Sequence, residues 1–292
     1  MTEAPAATLS DRLFAILQYL LPKHLLSRFI YAITRSETIW VRNAILKIFL
    51  RGYRVTMQEA VEPNPFAYPS FNAFFTRALK ADARPIDSAA NSIACPVDGT
   101  LSQCGPLRDN LLIQAKGHYY SLEDLLGDAQ RASSYRNGTF ACIYLAPYNY
   151  HRIHMPLAGV ARDTIYIPGE LFSVNAATAR AVPRVFARNE RLICEFDTIA
   201  GRMTVILIGA LFVGSIETVH CGEVNPPPRR GKRPVRIDEG IGQRFEKGAE
   251  LGRFNMGSTV ILLFEKGRAD WNSTLFPDAT IQLGSAIGLV RS

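Results

Sequence analysis

The apolar residues of this 292-residue chain change their spacing once, and that change limits the folds open to it. Up to residue 85 they recur at the three- and four-residue intervals of amphipathic helices, whereas from residue 92 they form short β-rich runs between turn residues. This order excludes a regular β-α-β alternation, and the sequence contains neither G-x-G-x-x-G nor G-x-x-x-x-G-K. We therefore expect an α+β protein, with N-terminal amphipathic helices over residues 1–85 and a mainly antiparallel β sandwich or barrel-like domain over residues 86–292.

Three helices are predicted in the first 55 residues. The first ends at Pro22, the second follows it, and the third begins after a cap at Ser36 and ends at Gly52. A shorter fourth helix is predicted over residues 70–79. The apolar faces of the first three consist of Leu13, Ile16, Leu17, Leu20 and Leu21; of Leu25, Leu26, Phe29, Ile30 and Ile33; and of Ile39, Trp40, Ala44, Ile45, Ile48 and Phe49.

Basic residues are concentrated in the same helical segment. Residues 1–55 hold eight Lys and Arg against three Asp and Glu, which accounts for most of the net charge of +7. Such helices suit an anionic membrane surface, but they would also suit a helical cap packed on its own core, and nucleic acid is a weaker third choice. If the segment lies on a bilayer, we expect Gln at Arg28, Arg35 and Arg42 to weaken vesicle binding without affecting chemistry elsewhere. The basic loop 226–234 is a second candidate for lipid contact.

Composition excludes two further classes. The uncharged apolar stretches 204–216 and 254–264 are shorter than the ~18 apolar residues that a spanning helix needs. The N-terminus carries Glu3 and no basic export signal, so we expect a cytosolic chain. The five cysteines are odd in number and never form C-x-x-C, so we expect small buried hydrophobic side chains rather than disulfides or a thiolate zinc site.

Strands are predicted where apolar runs are bounded by turn dipeptides such as Asn137-Gly138 and Lys266-Gly267. The predicted strands cover residues 111–115, 139–145, 160–167, 191–196, 203–207 and 258–264.

His151 and His154 are the two histidines that lie close together in the sequence. Their spacing of three puts them on one side of a helical turn but on opposite faces of a strand. A zinc hydrolase using this pair is possible, although the Glu of H-E-x-x-H and a third ligand are missing.

A serine nucleophile has one distinctive position. The elbow G-x-S-x-G is absent, and Gly-Ser dipeptides occur at residues 214–215, 257–258 and 284–285. Ser258 differs from the others because the apolar run 260–264 follows it at once. A packed turn and a catalytic serine both remain open on this evidence.

Eight stretches together carry a resemblance to one family. They are FNAFFTRALKADARP (71–85), CPVDGTL (95–101), KGHYYSL (116–122), YHRIHMP (150–156), YIPGELFSVN (166–175), FARNER (186–191), VGSIET (213–218) and GRFNMGSTVILLF (252–264). In this order they resemble the phosphatidylserine decarboxylases of the proteobacterial, pyruvoyl-dependent type. The usual Leu-Gly-Ser-Thr of that family reads Met-Gly-Ser-Thr here.

The resemblance implies a set of site residues. Gly257 and Ser258 would flank a self-cleavage site, with Asp98 and His154 as relay partners of Ser258. Cleavage would give chains 1–257 and 258–292, and Ser258 would become a covalent pyruvoyl group that forms the Schiff base with substrate. His151 is our candidate proton donor in decarboxylation.

The implied function is the conversion of phosphatidylserine to phosphatidylethanolamine and CO2, with no metal. The implied partners are the lipid substrate, an anionic membrane surface and the two chains of one precursor, which could dimerise further. The implied location is the cytoplasmic side of a bacterial cell membrane, with peripheral attachment. A non-enzymatic lipoyl-like β-sandwich binding module is the alternative, but it needs a lysine at a hairpin tip where this chain has Met256-Gly257-Ser258.

Overall fold

The computed structural model describes residues 7–115, 118–212, 215–224, 234–255 and 258–291. Its helices are α1 (Leu9–Leu20), α2 (Lys23–Thr34), α3 (Ile39–Gly52), α4 (Phe71–Phe75), α5 (Leu122–Leu126), α6 (Ala129–Ser134), α7 (Ala176–Ala181) and α8 (Val185–Arg188), with a short 3-10 turn at Pro65–Ala67. Its strands are β1 (Ser92–Ala94), β2 (Gly99–Pro106), β3 (Leu111–Ala115), β4 (His118–Ser121), β5 (Thr139–Leu145), β6 (Arg152–His154), β7 (Gly159–Ile167), β8 (Arg191–Thr198), β9 (Gly201–Ile208), β10 (Ile216–Thr218), β11 (Gly222–Glu223), β12 (Val235–Ile237), β13 (Arg244–Phe245), β14 (Glu250–Phe254), β15 (Ser258–Phe264), β16 (Ala269–Trp271), β17 (Thr280–Ile281) and β18 (Ala286–Val290).

The N-terminal helices confirm most of the predicted pattern. Thr8 and Asp11 form a capping box at the start of α1, and Pro22 separates α1 from α2. The predicted cap at Ser36 is wrong, because α3 begins after Thr38 and the Ser36 hydroxyl accepts a hydrogen bond from the Thr38 amide. The fourth helix is shorter than predicted, since the backbone leaves the helical region at Thr76.

The largest sheet contains β15, the strand that begins at Ser258. Within the described residues its strand order is β12-β7-β8-β9-β15-β5-β2-β17, with β13 also on β7. Strand β15 pairs antiparallel with both β9 and β5, so it lies inside the sheet. Its alternate side chains enter two different hydrophobic cores, with Val260, Leu262 and Phe264 on one face and Ile261 and Leu263 on the other. Burial on both faces explains why this run is apolar without alternation.

The fold class predicted from the sequence is confirmed. Helices come first, and mainly antiparallel sheets follow, including a sheet of order β11-β10-β14-β6 beside the largest one. The largest sheet is not a closed barrel, because in the described chain its strand order runs from one edge, β12, to the other, β17. The domain boundary at residue 85 remains a prediction.

The helical arm consists of α1 to α3. Its third helix packs Leu46 and Phe49 against the phenylalanines of α4, whereas α1 and α2 contact the rest of the protein mainly through polar side chains. Asp11 forms an ion pair with Arg180 at 3.0 Å, Gln18 donates to Thr178 at 3.0 Å, and Lys23 lies 3.1 Å from Glu170. The apolar residues of α1 point the other way, and Leu13, Ile16, Leu17 and Leu20 are each more than half exposed. Among the described residues, no helix is both long and apolar enough to cross a bilayer.

Two of the three arginines expected on a lipid surface form hydrogen bonds with other parts of the protein. Arg35 is bonded to Glu223 at 2.7 Å and to the Ser215 hydroxyl at 2.9 Å, and Arg42 donates to the Tyr68 carbonyl at 3.0 Å. Arg28 is exposed. The expectation of three equivalent lipid-facing cations is therefore wrong for Arg35 and Arg42. The basic loop is almost entirely outside the described residues.

The cysteines are free thiols, as predicted. Cys95, Cys142 and Cys194 are buried, whereas Cys104 and Cys221 are half-buried. Burial raises the pKa of Cys95 and Cys142 to about 12, so these thiols stay protonated and act as small hydrophobic groups.

Candidate active site

Ser258 is the first residue of β15 and is fully buried. It pairs with Leu145 at the end of β5. Its hydroxyl has no hydrogen-bond partner among the residues that the structure describes. A buried hydroxyl without a partner costs about 1–3 kcal/mol, so such a group is retained where chemistry requires it. Met256 and Gly257 lie outside the described residues.

His151 reaches the same region by a short turn after β5. Asn149 closes that turn, because its side-chain oxygen accepts from the Ala146 amide at 2.7 Å. The backbone carbonyl of Asn149 then accepts from His151 Nδ1 at 2.9 Å. The His151 carbonyl in turn accepts from the Phe254 amide at 3.0 Å, which ties the histidine to the end of the strand that precedes Ser258.

The His151 ring is neutral and its second nitrogen is available. A carbonyl can only accept, so Nδ1 carries the proton and Nε2 is the basic atom. Nε2 is buried and has no partner within the described part of the chain. The ring lies on Phe75 with centroids 4.0 Å apart, and burial, together with the charge of Arg77, lowers the pKa of His151 to about 3.

His154 lies on β6 with different partners. Its Nδ1 donates to the Gly248 carbonyl at 2.8 Å, and the Tyr150 hydroxyl donates to its Nε2 at 3.3 Å. Burial lowers the pKa of His154 and raises the pKa of Tyr150 to about 12. The histidine is therefore a neutral base whose tautomer is fixed by a backbone carbonyl.

Asp98 lies at the start of β2 in a tight ion pair. Arg84 holds both carboxylate oxygens, with Nε to Oδ1 at 2.9 Å and Nη2 to Oδ2 at 2.6 Å, and the Leu283 amide donates to Oδ1 at 2.9 Å. Arg84 also bonds to Glu59 at 2.9 Å. These hydrogen bonds raise the pKa of the Arg84 guanidinium above its usual value, so Arg84 stays protonated.

Ser258 and His154 lie on β15 and β6, and Asp98 and His151 lie directly before β2 and β6. Within the described chain, the proposed relay is not joined by hydrogen bonds. The His154 amide donates to the Pro96 carbonyl at 2.8 Å, which brings β6 beside the segment that carries Asp98. Across the described ranges, no hydrogen bond joins Asp98 to His154 or His154 to Ser258. The assignment of a relay to Asp98, His154 and Ser258 stays a prediction, as does the role of His151.

The structure adds residues that sequence reasoning missed. Phe75 and Tyr150 contact the two histidines, and Arg84 holds Asp98. Phe75 and Arg84 belong to the stretch 71–85, so the resemblance pointed to that segment without indicating a contact. No signal in the sequence pairs Arg84 with Asp98 or Gly248 with His154, because those contacts depend on the tertiary fold.

A hydrogen-bond network joins the approach to Ser258 with the helical arm. Asn255 is buried, and its Nδ2 donates to the Ser215 hydroxyl at 2.5 Å, while its own oxygen accepts from Asn72 at 3.1 Å. The same Ser215 hydroxyl accepts from Arg35 at 2.9 Å. Asn255, the last described residue before Ser258, is therefore bonded directly to α4, and it is linked through Ser215 to Arg35 at the end of α2.

The burial of Ser258 limits what its hydroxyl can contact. The side chain is fully enclosed at the start of β15, so the groups around it belong to the chain itself. In the part of the chain that the structure describes, no three His, Cys, Asp or Glu side chains are grouped as metal ligands. Fold and site together are those of an α+β protein with a buried serine whose hydroxyl is unpartnered among the described residues.

Comparison with known proteins identifies the family. The profile of the phosphatidylserine decarboxylase family matches residues 71–289, and a second profile, described as PSD, matches residues 13–54. The phosphatidylserine decarboxylase proenzyme of Azotobacter vinelandii is 52% identical over 283 residues, which cover 96% of this chain and 99% of the relative. The proenzymes of Methylococcus capsulatus and Alcanivorax borkumensis are 50% and 48% identical, over 98% and 96% of this chain and 99% and 97% of theirs.

The chain belongs to the phosphatidylserine decarboxylase family. This membership confirms the resemblance found in the sequence. The lipoyl-like binding module and the zinc hydrolase are not favoured.

Proposed function

We propose that this protein is a self-processing decarboxylase that converts phosphatidylserine to phosphatidylethanolamine and CO2. Family membership over nearly the whole chain supports the reaction. The single structural observation behind the proposal is the buried, unpartnered hydroxyl of Ser258 at the start of β15. It suits a serine that is consumed in making a covalent pyruvoyl group.

The proposed cleavage is a rearrangement within the chain. Ser258 Oγ attacks the carbonyl carbon of Gly257, and an ester replaces the peptide bond between these residues. Loss of the Ser258 Cα proton expels the upstream chain as a carboxylate and leaves dehydroalanine. Addition of water and loss of ammonia then give the pyruvoyl group. His154 takes the hydroxyl proton through its basic Nε2, and Asp98 supplies the negative charge of the relay.

The two products remain associated through the sheet. Chain 258–292 contributes β15, which pairs with β5 and β9, and β18, which pairs with β1. The seven residues of β15 are all buried, so separation would expose apolar surface on both faces of the strand. The proposed enzyme is thus a heterodimer derived from one precursor.

The pyruvoyl group supplies an electrophilic carbonyl and an electron sink for decarboxylation. The amine of phosphatidylserine must lose protons before it reacts, and the free Nε2 of His151 can accept one. His151 then carries that proton to the α carbon from which CO2 departs. Phe75 beside the ring keeps water away and lowers the local dielectric, which favours loss of the carboxylate charge.

We further propose that the helical arm lies on the anionic cytoplasmic surface of the cell membrane. On α1 the apolar side chains face outward and the polar ones face the protein, which is the reverse of a helix that packs on its own core, and α3 exposes Ile39, Trp40 and Ile48. Arg12, Arg28 and Lys47 are exposed beside those apolar residues. Apolar burial and attraction to anionic lipid therefore act on the same surface.

The function is tested with vesicles of phosphatidylserine labelled at the carboxyl carbon. We expect the purified protein to release labelled CO2, and Ser258→Ala to remain uncut and inactive. Ser285→Ala is the matched control, because it removes the exposed serine of another Gly-Ser dipeptide. Cut wild-type protein that releases no CO2 would contradict the proposed reaction.

A further inference from the structure

Arg77 is a buried cation with almost no partners. Its side chain follows α4 and is only 4% exposed. It makes a single hydrogen bond in the described part of the protein, from Nη2 to the Tyr148 carbonyl at the long distance of 3.4 Å. Its Nε is buried without a partner, and the guanidinium lies 5.7 Å from the centre of the Phe74 ring.

No carboxylate of the described residues neutralises this charge by contact. Among the described residues Arg77 forms no ion pair, and the nearby Asp98 has both its oxygens on Arg84. A guanidinium has five N–H donors and remains protonated in proteins, so burying it with one weak hydrogen bond is costly. The same burial lowers the pKa of Arg77 from its usual value. An anion bound at Nε would remove this cost.

The position of Arg77 relates it to the proposed active site. Phe75, two residues earlier, lies on the His151 ring at 4.0 Å. Tyr148, whose carbonyl accepts from Arg77, belongs to the turn that leads from β5 to His151. The charge of Arg77 also contributes to lowering the pKa of His151. An anion on Arg77 would therefore lie beside the histidine.

We propose that Arg77 binds the phosphodiester of the phospholipid headgroup and sets its position relative to His151. This inference rests on the proposed decarboxylation. It assigns Arg77 as a specificity-determining residue for substrates that carry a phosphate between the serine and the lipid. The planar guanidinium suits the oxygens of a phosphodiester, which it can hold with two hydrogen bonds.

The chemistry of the reaction selects the phosphodiester over the carboxylate. The carboxylate loses its charge as CO2 departs, so a cation on it would stabilise the ground state and slow the reaction. The phosphodiester keeps its charge throughout and is separated from the reacting carbon by one carbon and one oxygen. Arg77 thus contributes equally to the ground state and the transition state.

The turn that contacts Arg77 reaches the surface. Tyr148 is 46% exposed, and its ring lies 6.4 Å from the ring of Tyr53 at the end of α3. In the proposed binding mode the headgroup enters from this side, so that its phosphodiester reaches Arg77 before its serine reaches the interior.

The test compares processed wild-type protein with Arg77→Gln and Arg77→Lys. With short-chain phosphatidylserine, we expect Arg77→Gln to raise KM by about tenfold or more while kcat changes less, because uniform binding is lost. Arg77→Lys should bind the substrate more tightly than Arg77→Gln, since lysine keeps the positive charge although it lacks the paired N–H donors of the guanidinium. Arg162→Gln is the matched control, since it removes an exposed guanidinium paired with Asp197 on the far strands β7 and β8.

Binding of the product headgroup separates recognition from turnover. In wild-type protein, glycerophosphoethanolamine should bind more tightly than ethanolamine, and this preference should disappear in Arg77→Gln. If Arg77→Gln does not fold, the folded Arg77→Lys decides, because it should show a weakened preference. An unchanged preference and KM in a folded variant would overturn the inference. Wild-type protein that binds the headgroup but releases no CO2 would instead contradict only the proposed function.

Discussion

At the scale of single residues, the site is marked by polar atoms that lack partners. Ser258 Oγ, His151 Nε2 and Arg77 Nε are all buried and unpartnered within the described residues. The sequence identified Ser258 and His151 but gave no reason to expect that either would be unpartnered. Whether a buried polar atom finds a partner depends on residues that are distant in the sequence. His154, for example, is bonded to Gly248, which lies 94 residues further along the chain.

The two histidines should separate cleavage from decarboxylation. We expect His154→Ala and Asp98→Asn to leave most of the chain uncut, because both disturb the proposed relay. His151→Ala should be cut and yet form little phosphatidylethanolamine. Gel analysis of cleavage and a CO2 assay measure the two steps. An uncut His151→Ala beside a normally cut His154→Ala would show that the roles are reversed.

Burial of neutral His151 also predicts a pH dependence of stability. Its pKa is about 3 in the folded chain and 6.5 when unfolded, so the unfolded chain binds more protons between these values. The free energy of unfolding should therefore fall as the pH drops from 6.5 towards 3, by an amount on the order of 4 kcal/mol.

This dependence is measured by urea unfolding of the uncut Ser258→Ala protein at several pH values. His151→Gln in that background should flatten the dependence, and exposed His24→Gln should not. Equal slopes for Ser258→Ala with and without His151→Gln would refute a buried neutral imidazole.

At the scale of elements, the sequence predicted strands better than short helices. The bounds of β3, β5 and β15 agree with the prediction because turn residues bracket their apolar runs. The fourth helix was predicted too long, because the Thr76 hydroxyl bonds back to the Asn72 carbonyl at 2.9 Å and the chain turns away. Sheet order could not be predicted, since β15 pairs with β9 and β5, which end at Ile208 and Leu145, far earlier in the chain.

Strand β15 should dominate the stability of the precursor. Leu262 is fully buried in one core of the largest sheet. Leu262→Ala should lower the free energy of unfolding by about 2–5 kcal/mol, because it leaves a cavity between paired strands. Urea unfolding in the Ser258→Ala background measures this for one intact chain. Exposed Leu289→Ala is the control, and an equally small effect at both positions would contradict the central place of β15.

At the scale of the whole molecule, the arm connects its outward apolar surface, which is the proposed lipid contact, with the site. The sequence predicted its helices and charge but left open whether the apolar faces turn inward. Tertiary contacts decide that orientation, because Asp11, Gln18 and Lys23 take the inner positions. Arg35 continues the connection to Ser215 and Asn255 near the proposed cleavage point.

Vesicle binding should depend on the outward apolar face of α1. We expect Leu13→Asp with Leu17→Asp to abolish most co-sedimentation with anionic vesicles, because these exposed side chains supply the hydrophobic term. Arg28→Gln should weaken binding by roughly 1 kcal/mol, and only at low salt. Arg35→Gln should instead slow cleavage, since Ser215 loses a donor. Unchanged sedimentation of the double Asp variant would place membrane contact elsewhere.

Conversion of Ser258 into the reactive group of a two-chain enzyme is tested by intact-mass spectrometry of the purified protein. We expect two species, chains 1–257 and 258–292, whose masses together equal that of the precursor plus one water minus one ammonia. The smaller species should resist Edman sequencing and react with hydrazine. A single intact chain that decarboxylates phosphatidylserine at full rate, or a small chain that begins with an ordinary serine, would contradict the account.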